Sequence, residues 1–319
     1  MKKLYFVLIF LFVFIISCGP SSTKDKNKIT KQDSSSTNTQ TITNGNGFTS
    51  KGLYNDLLKL VQSKSTNLSQ EYYDTAVTAL SRNQNSKAIE YLNSAIKADP
   101  NYTGAYCVRA ITRTLLNDTA GVLSDFNMAL KLNPKLILGY YYRSFYKWNY
   151  MHDSIGALKD ETIAVNLDTT NIRTLKQRFI MRRELHDYQG AIEDLDAIIR
   201  LSPKSYVYFR YRGIVKGYMH NYASAIIDYS KAIELNKQDT FSYFNRGLLE
   251  TSFQNYNKAM LDLLKVIEND SNFGPAYLFR GEIQVRIGQK DKGCEDLYKA
   301  KELGVQQADA EILKSNCNR

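Results

Sequence analysis

Residues 206–239, YVYFRYRGIVKGYMHNYASAIIDYSKAIELNKQD, carry a pattern of aromatic and small residues that returns about every 34 residues through most of the chain. A period of that length restricts the fold to an array of like units, each packed on its neighbours. With Tyr206 as place 1, Phe209 falls at place 4, Gly213 at 8, Ala225 at 20, Tyr229 at 24 and Ala232 at 27. Places 4, 8 and 11 share one face of a helix, and places 20, 24 and 27 one face of a second. Each unit is therefore expected to be two short helices joined by a tight turn, here Met219-His220-Asn221-Tyr222. Seven copies follow, over 69–102, 103–136, 137–171, 172–205, 206–239, 240–273 and 274–305. Place 4 is filled by Tyr72, Tyr106, Tyr140, Leu175, Phe209, Tyr243 and Tyr277, and place 20 by Ala88, Val122, Ala157, Ala191, Ala225 and Ala259. The third copy needs one extra residue, expected in its inter-helix turn. Pro100, Pro134 and Pro203 mark corners between units, where a residue that cannot continue a helix is useful.

This arrangement resembles the tetratricopeptide repeat, whose length and small-aromatic spacing it matches. The resemblance covers roughly three quarters of the chain. It implies an all-α, right-handed superhelical solenoid of about seven helix-turn-helix repeats, closed by a capping helix over 306–319. It also implies a scaffold for protein–protein interaction, although one such fold hosts many partners.

The first residues follow other rules. Lys2 and Lys3 precede an apolar run from Leu4 to Ile16. Thirteen residues make roughly 20 Å of helix, short of a bilayer core of about 30 Å, so residues 1–17 are expected to be an export signal. Ile15-Ile16-Ser17-Cys18 resembles a bacterial lipobox, which implies lipidation of Cys18 and a chain tethered to a membrane without spanning it. Gly19 stands where some bacteria place the aspartate that retains lipoproteins at the inner membrane, so the expected location is the outer membrane, facing the periplasm. Residues 18–50 are rich in Ser, Thr, Asn, Gln and Lys and read as a flexible linker. Leu53, Leu57, Leu58 and Val61 form a helical stripe within a lead-in segment, 51–68, expected to cover the first repeat.

The formal net charge is +10, of which residues 1–47 hold +4, leaving a mild +6 elsewhere. An exported chain without a clustered basic run is not expected to bind nucleic acid. No P-loop, H-E-x-x-H, G-x-S-x-G or zinc-spaced Cys/His group is present, so neither an enzyme nor a cofactor is expected.

A second regularity lies beneath the first. Arginine occupies place 7 in six copies, as Arg109, Arg143, Arg178, Arg212, Arg246 and Arg280. Aspartate follows 16 or 17 residues later in each, as Asp125, Asp160, Asp194, Asp228, Asp262 and Asp296. The first copy has neither, showing Thr75 and Tyr91. Joint presence and joint absence point to an ion pair within each unit, in preference to an arginine ladder for an anionic ligand. His152, His186 and His220 recur at one turn position, which Asn83, Asn117 and Gly288 fill in other copies. Asn, His and Gly share a tolerance for the left-handed backbone, so a turn requirement accounts for them and no metal site is expected. Cys294, in the second helix of the last copy, and Cys317, in the capping helix, are expected to fall close enough for a disulfide. Cys107 is expected to pack as a small apolar residue.

In the proteins this chain resembles, places 2, 5, 9 and 12 of the first helix line the concave side. Those places hold Tyr141, Phe145 and Trp148 in the third copy, Lys176 and Arg183 in the fourth, Arg210 in the fifth, with Tyr218 beside it, and Phe241 and Phe244 in the sixth. Asn245 is similar to the asparagine that relatives use to clamp a peptide carboxylate. Aromatic anchors beside cations suit an extended partner segment with acidic and apolar residues. A cell-wall or glycan ligand stacking on the exposed aromatics is the rival expectation.

Overall fold

The computed structural model describes residues 67–317. The export signal, Cys18, the linker and the lead-in segment up to residue 66, with its expected helical stripe, lie outside the described residues. Fifteen α-helices make up the described residues, with no strand among them. In order they are α1 (Asn67–Ser81), α2 (Asn85–Ala98), α3 (Thr103–Leu115), α4 (Val122–Leu132), α5 (Ile137–Tyr150), α6 (Ser154–Leu167), α7 (Ile172–Glu184) and α8 (Tyr188–Leu201). There follow α9 (Tyr206–Tyr218), α10 (Tyr222–Leu235), α11 (Thr240–Ser252), α12 (Tyr256–Asn269), α13 (Gly274–Arg286), α14 (Lys290–Glu302) and α15 (Gln307–Lys314). The fold class is the all-α helical-repeat solenoid.

The chain divides between Met181 and Arg182, inside α7, into two compact units. In the first, α1 pairs with α2, α3 with α4 and α5 with α6. In the second, α9 pairs with α10, α11 with α12 and α13 with α14, while α15 packs on α14. Within each repeat the second helix presents its small and large residues inward. Ala88, Leu92 and Ala95 are buried in α2, Val122, Phe126 and Ala129 in α4, and Ala225, Tyr229 and Ala232 in α10. Place 8, opposite place 24, holds a small residue in every copy but the fourth, where Phe179 stands. At Gly213 an added Cβ would stand 2.8 Å from Cε1 of Tyr229, so glycine there is a packing requirement.

Glu161 puts a polar side chain in the otherwise apolar place 24. It occupies the place of Leu92, Phe126, Leu195, Tyr229 and Leu263, and it is fully buried. Ser144, opposite, donates to its Oε2 at 2.7 Å, while Oε1 is buried with no hydrogen-bond partner. Burial, opposed by Ser144 and by the charges of Arg173 and Arg178, pushes the Glu161 carboxyl up to about 8.

The inter-helix turns share one backbone device. Asn83, Asn117, His152, His186, His220 and Gly288 all have positive φ, between 54° and 86°. Gln254 supplies the same conformation in the sixth repeat, with φ 60°, although glutamine has no special tolerance for it. In the third repeat the extra residue does not enlarge the turn as expected. It lengthens α5 to 14 residues, against 13 in α3, α9, α11 and α13. The Asp153 amide then reaches back to the carbonyl of Lys147, where Asp118 and Asn221 reach back to Arg113 and Lys216.

Candidate partner-binding surface

The arginines at place 7 do not point into open solvent. Arg109 donates through Nε and Nη2 to Asp125 at 2.9 and 2.6 Å, and Arg143 to Asp160 at 2.8 and 2.6 Å. Arg212 grips Asp228 in the same fork, Arg246 grips Asp262, and Arg280 grips Asp296. The five aspartates are buried. Each guanidinium also lies 5.5 to 5.8 Å from the place-4 ring of its own repeat, as Arg109 does over Tyr106 and Arg246 over Tyr243. The place-4 side chains therefore act partly as platforms for a cation. Arg178 belongs to the first unit and Asp194 to the second, where Asp194 is buried and lies 3.0 Å from Nη1 of Arg182.

Two further layers of this network escaped the sequence reading. Place 11, expected on the apolar face, instead brings a second cation to the same aspartate: Arg113 to Asp125 at 2.7 Å, Lys147 to Asp160 at 2.8 Å and Lys216 to Asp228 at 2.7 Å. In the sixth repeat that place is Glu250, and burial, with a smaller push from the Glu250 charge, raises the Asp262 carboxyl against the pull of Arg246. The remaining guanidinium nitrogen, Nη1, reaches the preceding repeat: Arg109 to Asn93, Arg143 to Asn127, Arg212 to Asp196 and Arg246 to Ser230, at 2.6 to 3.0 Å. These acceptors recur 16 residues before each arginine, a spacing visible in the sequence once the arginine is known to reach backwards.

The expected concave-side residues fare unequally. In the first unit Tyr141, Phe145 and Trp148 on α5 are half-buried and Lys176 on α7 is exposed. The guanidinium of Arg173 lies 4.2 Å from the centre of the Tyr141 ring and 5.7 Å from that of Tyr142. Arg173, at place 2 of the fourth copy, sits on the expected stripe, and that spacing is the signal that marks it. Aromatic and cationic groups are thus brought together on α5 and α7.

In the second unit the stripe is largely consumed by packing. Phe244 is 1% exposed, wedged against Phe273 and Phe279, and Asn245 is also 1% exposed, so neither lines a groove. The physical reason is that place 5 of α11 packs against α13 of the next repeat. Arg210 is ion-paired with the buried Asp239 and surrounded by the rings of Tyr206, Tyr211 and Phe241. It is therefore a link between repeats, not a cation held for a partner. Tyr218 stacks on Tyr188 with centroids 5.4 Å apart. Arg183 is half-buried and bonds to Glu184, and Phe241 stays 38% exposed. Cys107 is buried and not disulfide-bonded, and Cys294 and Cys317 form a disulfide with Cα atoms 5.5 Å apart. Among the described residues no group of three or more His, Cys, Asp or Glu is placed to hold a metal ion, and no helix is long and apolar enough to cross a membrane.

No family profile and no curated protein matches the chain. Solved structures do. The C-terminal part of a TPR repeat-containing protein from Cytophaga hutchinsonii aligns with a TM-score of 0.63 at 18% identity, over 75% of this chain and 98% of that one. A tetratricopeptide repeat protein from Parabacteroides merdae aligns at 0.51 and 20% identity, over 79% and 100%. YrrB, described as a TPR protein with an unusual peptide-binding site, aligns at 0.50 and 20% identity, over 59% and 97%. At such identities the likeness speaks for the fold alone, and with the repeat pattern and the helix order it shows that this chain has the tetratricopeptide-repeat fold.

Proposed function

We propose that the chain is a scaffold that captures a protein partner, and that capture is centred on α5 and α7 of the first unit. The observation that carries this reading is the stack of Arg173 on Tyr141, 4.2 Å from the ring centre, with Phe145, Trp148 and Lys176 on the same two helices. Rings offer broad apolar contact at low entropy cost, and cations beside them favour acidic side chains. The partner is an extended segment with acidic and apolar residues. A peptide-binding site is also what the description of YrrB names for that protein. Lipidation at Cys18 would tether the scaffold at the outer membrane, facing the periplasm, with the polar segment after it supplying reach.

A photo-crosslinking residue in place of Lys176, used in intact cells, tests the site. A crosslinked protein that disappears when Tyr141→Ala and Trp148→Ala are added supports the reading. Crosslinking confined to cell-wall glycan, or unaffected by those changes, refutes it.

A further inference from the structure

We propose that α15 is a clasp held by the Cys294–Cys317 disulfide, and that reduction of this bond by a dithiol releases the helix from α13 and α14. Among the described residues the other fastenings of α15 are modest. α15 has eight residues, too few for a helix to persist by itself in water. Its buried apolar anchors are Ala308 and Ile312, set against Leu278, Leu297 and Ala300, with the half-buried Tyr277, Val285, Tyr298 and Val305 packed against the same cluster. Its ion pair to α14, Lys301 with Asp309 at 2.6 Å, joins side chains that are both more than half exposed, and such pairs contribute little. Lys314 is bonded to Glu311 within α15 itself.

One further feature works against docking. Glu282 on α13 is half-buried, and its carboxyl is pushed up to about 7, first by burial and then by the charge of Glu311 on α15. Lys314 from α15 and Arg286 from α13 act in the opposite direction. When Glu282 ionises, two carboxylates oppose each other between α13 and α15, so the contact weakens as pH rises through neutrality.

Cys294 is 9% exposed, whereas Cys317 is half-buried and its carbonyl accepts from the Tyr298 hydroxyl at 3.1 Å. A dithiol thiolate attacks one sulfur and displaces the other as a thiolate, which takes up a proton. The reductant's second thiol then resolves the mixed disulfide. Two electrons and two protons pass from the dithiol, which ends as its own disulfide, to two cysteine thiols. With the tether cut, α15 leaves, and Leu278, Leu297 and Ala300 become accessible.

Hydrogen exchange on the full chain, oxidised and in dithiothreitol, at pH 6 and pH 8 with rates corrected for intrinsic exchange, tests the clasp. In the oxidised chain the amides of α15 should exchange slowly at both pH values. In the reduced chain at pH 8 they should exchange about tenfold faster, with α9 to α12 unchanged. Cys317→Ser should reproduce this without reductant, and Glu282→Gln should remove most of the difference between the two pH values. Equal protection of α15 with and without reductant at pH 8 would overturn the proposal. So would loss of protection throughout α9 to α14 on reduction, because the bond would then be a general brace.

Discussion

Arg212 closes its own hairpin on Asp228, with Nη2 2.6 Å from Oδ1 and Nε 3.0 Å from Oδ2, and the aspartate side chain is 2% exposed. The hydrogen bonds to Asp228, more than those to Asp196, raise the arginine's own pKa, against the effect of burial. Because Lys216 also lies 2.7 Å from Asp228, Arg212→Ala leaves the carboxylate one cation. The single change should cost about 2 kcal/mol, the scale of a charged hydrogen bond. Arg212→Ala with Lys216→Ala strands a buried charge and should cost about 3–5 kcal/mol. Urea titration of the four chains of the double-mutant cycle measures both, and a single-mutant loss below about 1 kcal/mol would place the pair at the surface.

Glu161 gives the chain a pH dependence with a definite sign. Its carboxyl titrates near 4.5 when unperturbed and near 8 in the folded chain, so the folded state holds the proton more tightly. The stability it confers is complete below pH 4.5 and declines as pH rises towards 8, by an amount on the order of 3 kcal/mol at pH 7. Glu161→Gln should flatten that decline. Glu161→Leu with Ser144→Ala, which copies Ala76 opposite Leu92 in the first repeat, should raise the melting temperature at pH 7. An unchanged pH profile in the Gln variant would show that another group is responsible.

Gly213→Ala drives a methyl into the Tyr229 ring and should destabilise by about 1–3 kcal/mol. Adding Tyr229→Leu, the pairing of Gly247 with Leu263 in the next repeat, should recover most of the loss. Calorimetry of the two variants beside the parent chain checks this; failure of the rescue would mean that the glycine serves the backbone and not the ring.

Gln254 holds φ 60° without the side-chain tolerance of the asparagines and histidines at the same turn. Gln254→Gly should stabilise by roughly 1 kcal/mol, the relief of a left-handed conformation. His220→Val should destabilise by at least as much, since a β-branched side chain resists that conformation more strongly. Thermal unfolding distinguishes these from a metal role, in which His220→Val would matter only when zinc is added.

The helix pairs were legible because places 8, 20, 24 and 27 are packing positions, and packing between two helices of one repeat depends on residues close in sequence. The Arg109 to Arg280 ladder was legible for the same reason: each arginine and its aspartate rise and fall together within one repeat. Much of what was hidden depends on contacts that reach beyond one helix pair. Nothing within residues 240–252 announces that Phe244 is covered by Phe273, and nothing within residues 206–218 announces that Arg210 is taken by Asp239, the N-cap of α11. Glu161 is hard to see in the sequence because Ala157 and Ala164 beside it fit the repeat, and a charge at place 24 of an amphipathic helix looks like part of a solvated face.

Trp148 is the chain's single tryptophan and stands within the proposed capture surface, half-buried on α5. Its fluorescence in the free chain should be quenched by acrylamide, and addition of the partner recovered by crosslinking from position 176 should shift the emission to shorter wavelength and reduce quenching. Arg173→Ala and Tyr141→Ala should abolish that shift while leaving the helical circular dichroism unchanged. A blue emission, inaccessible to quencher in the free chain and unaltered by the partner, would contradict capture at α5 and α7.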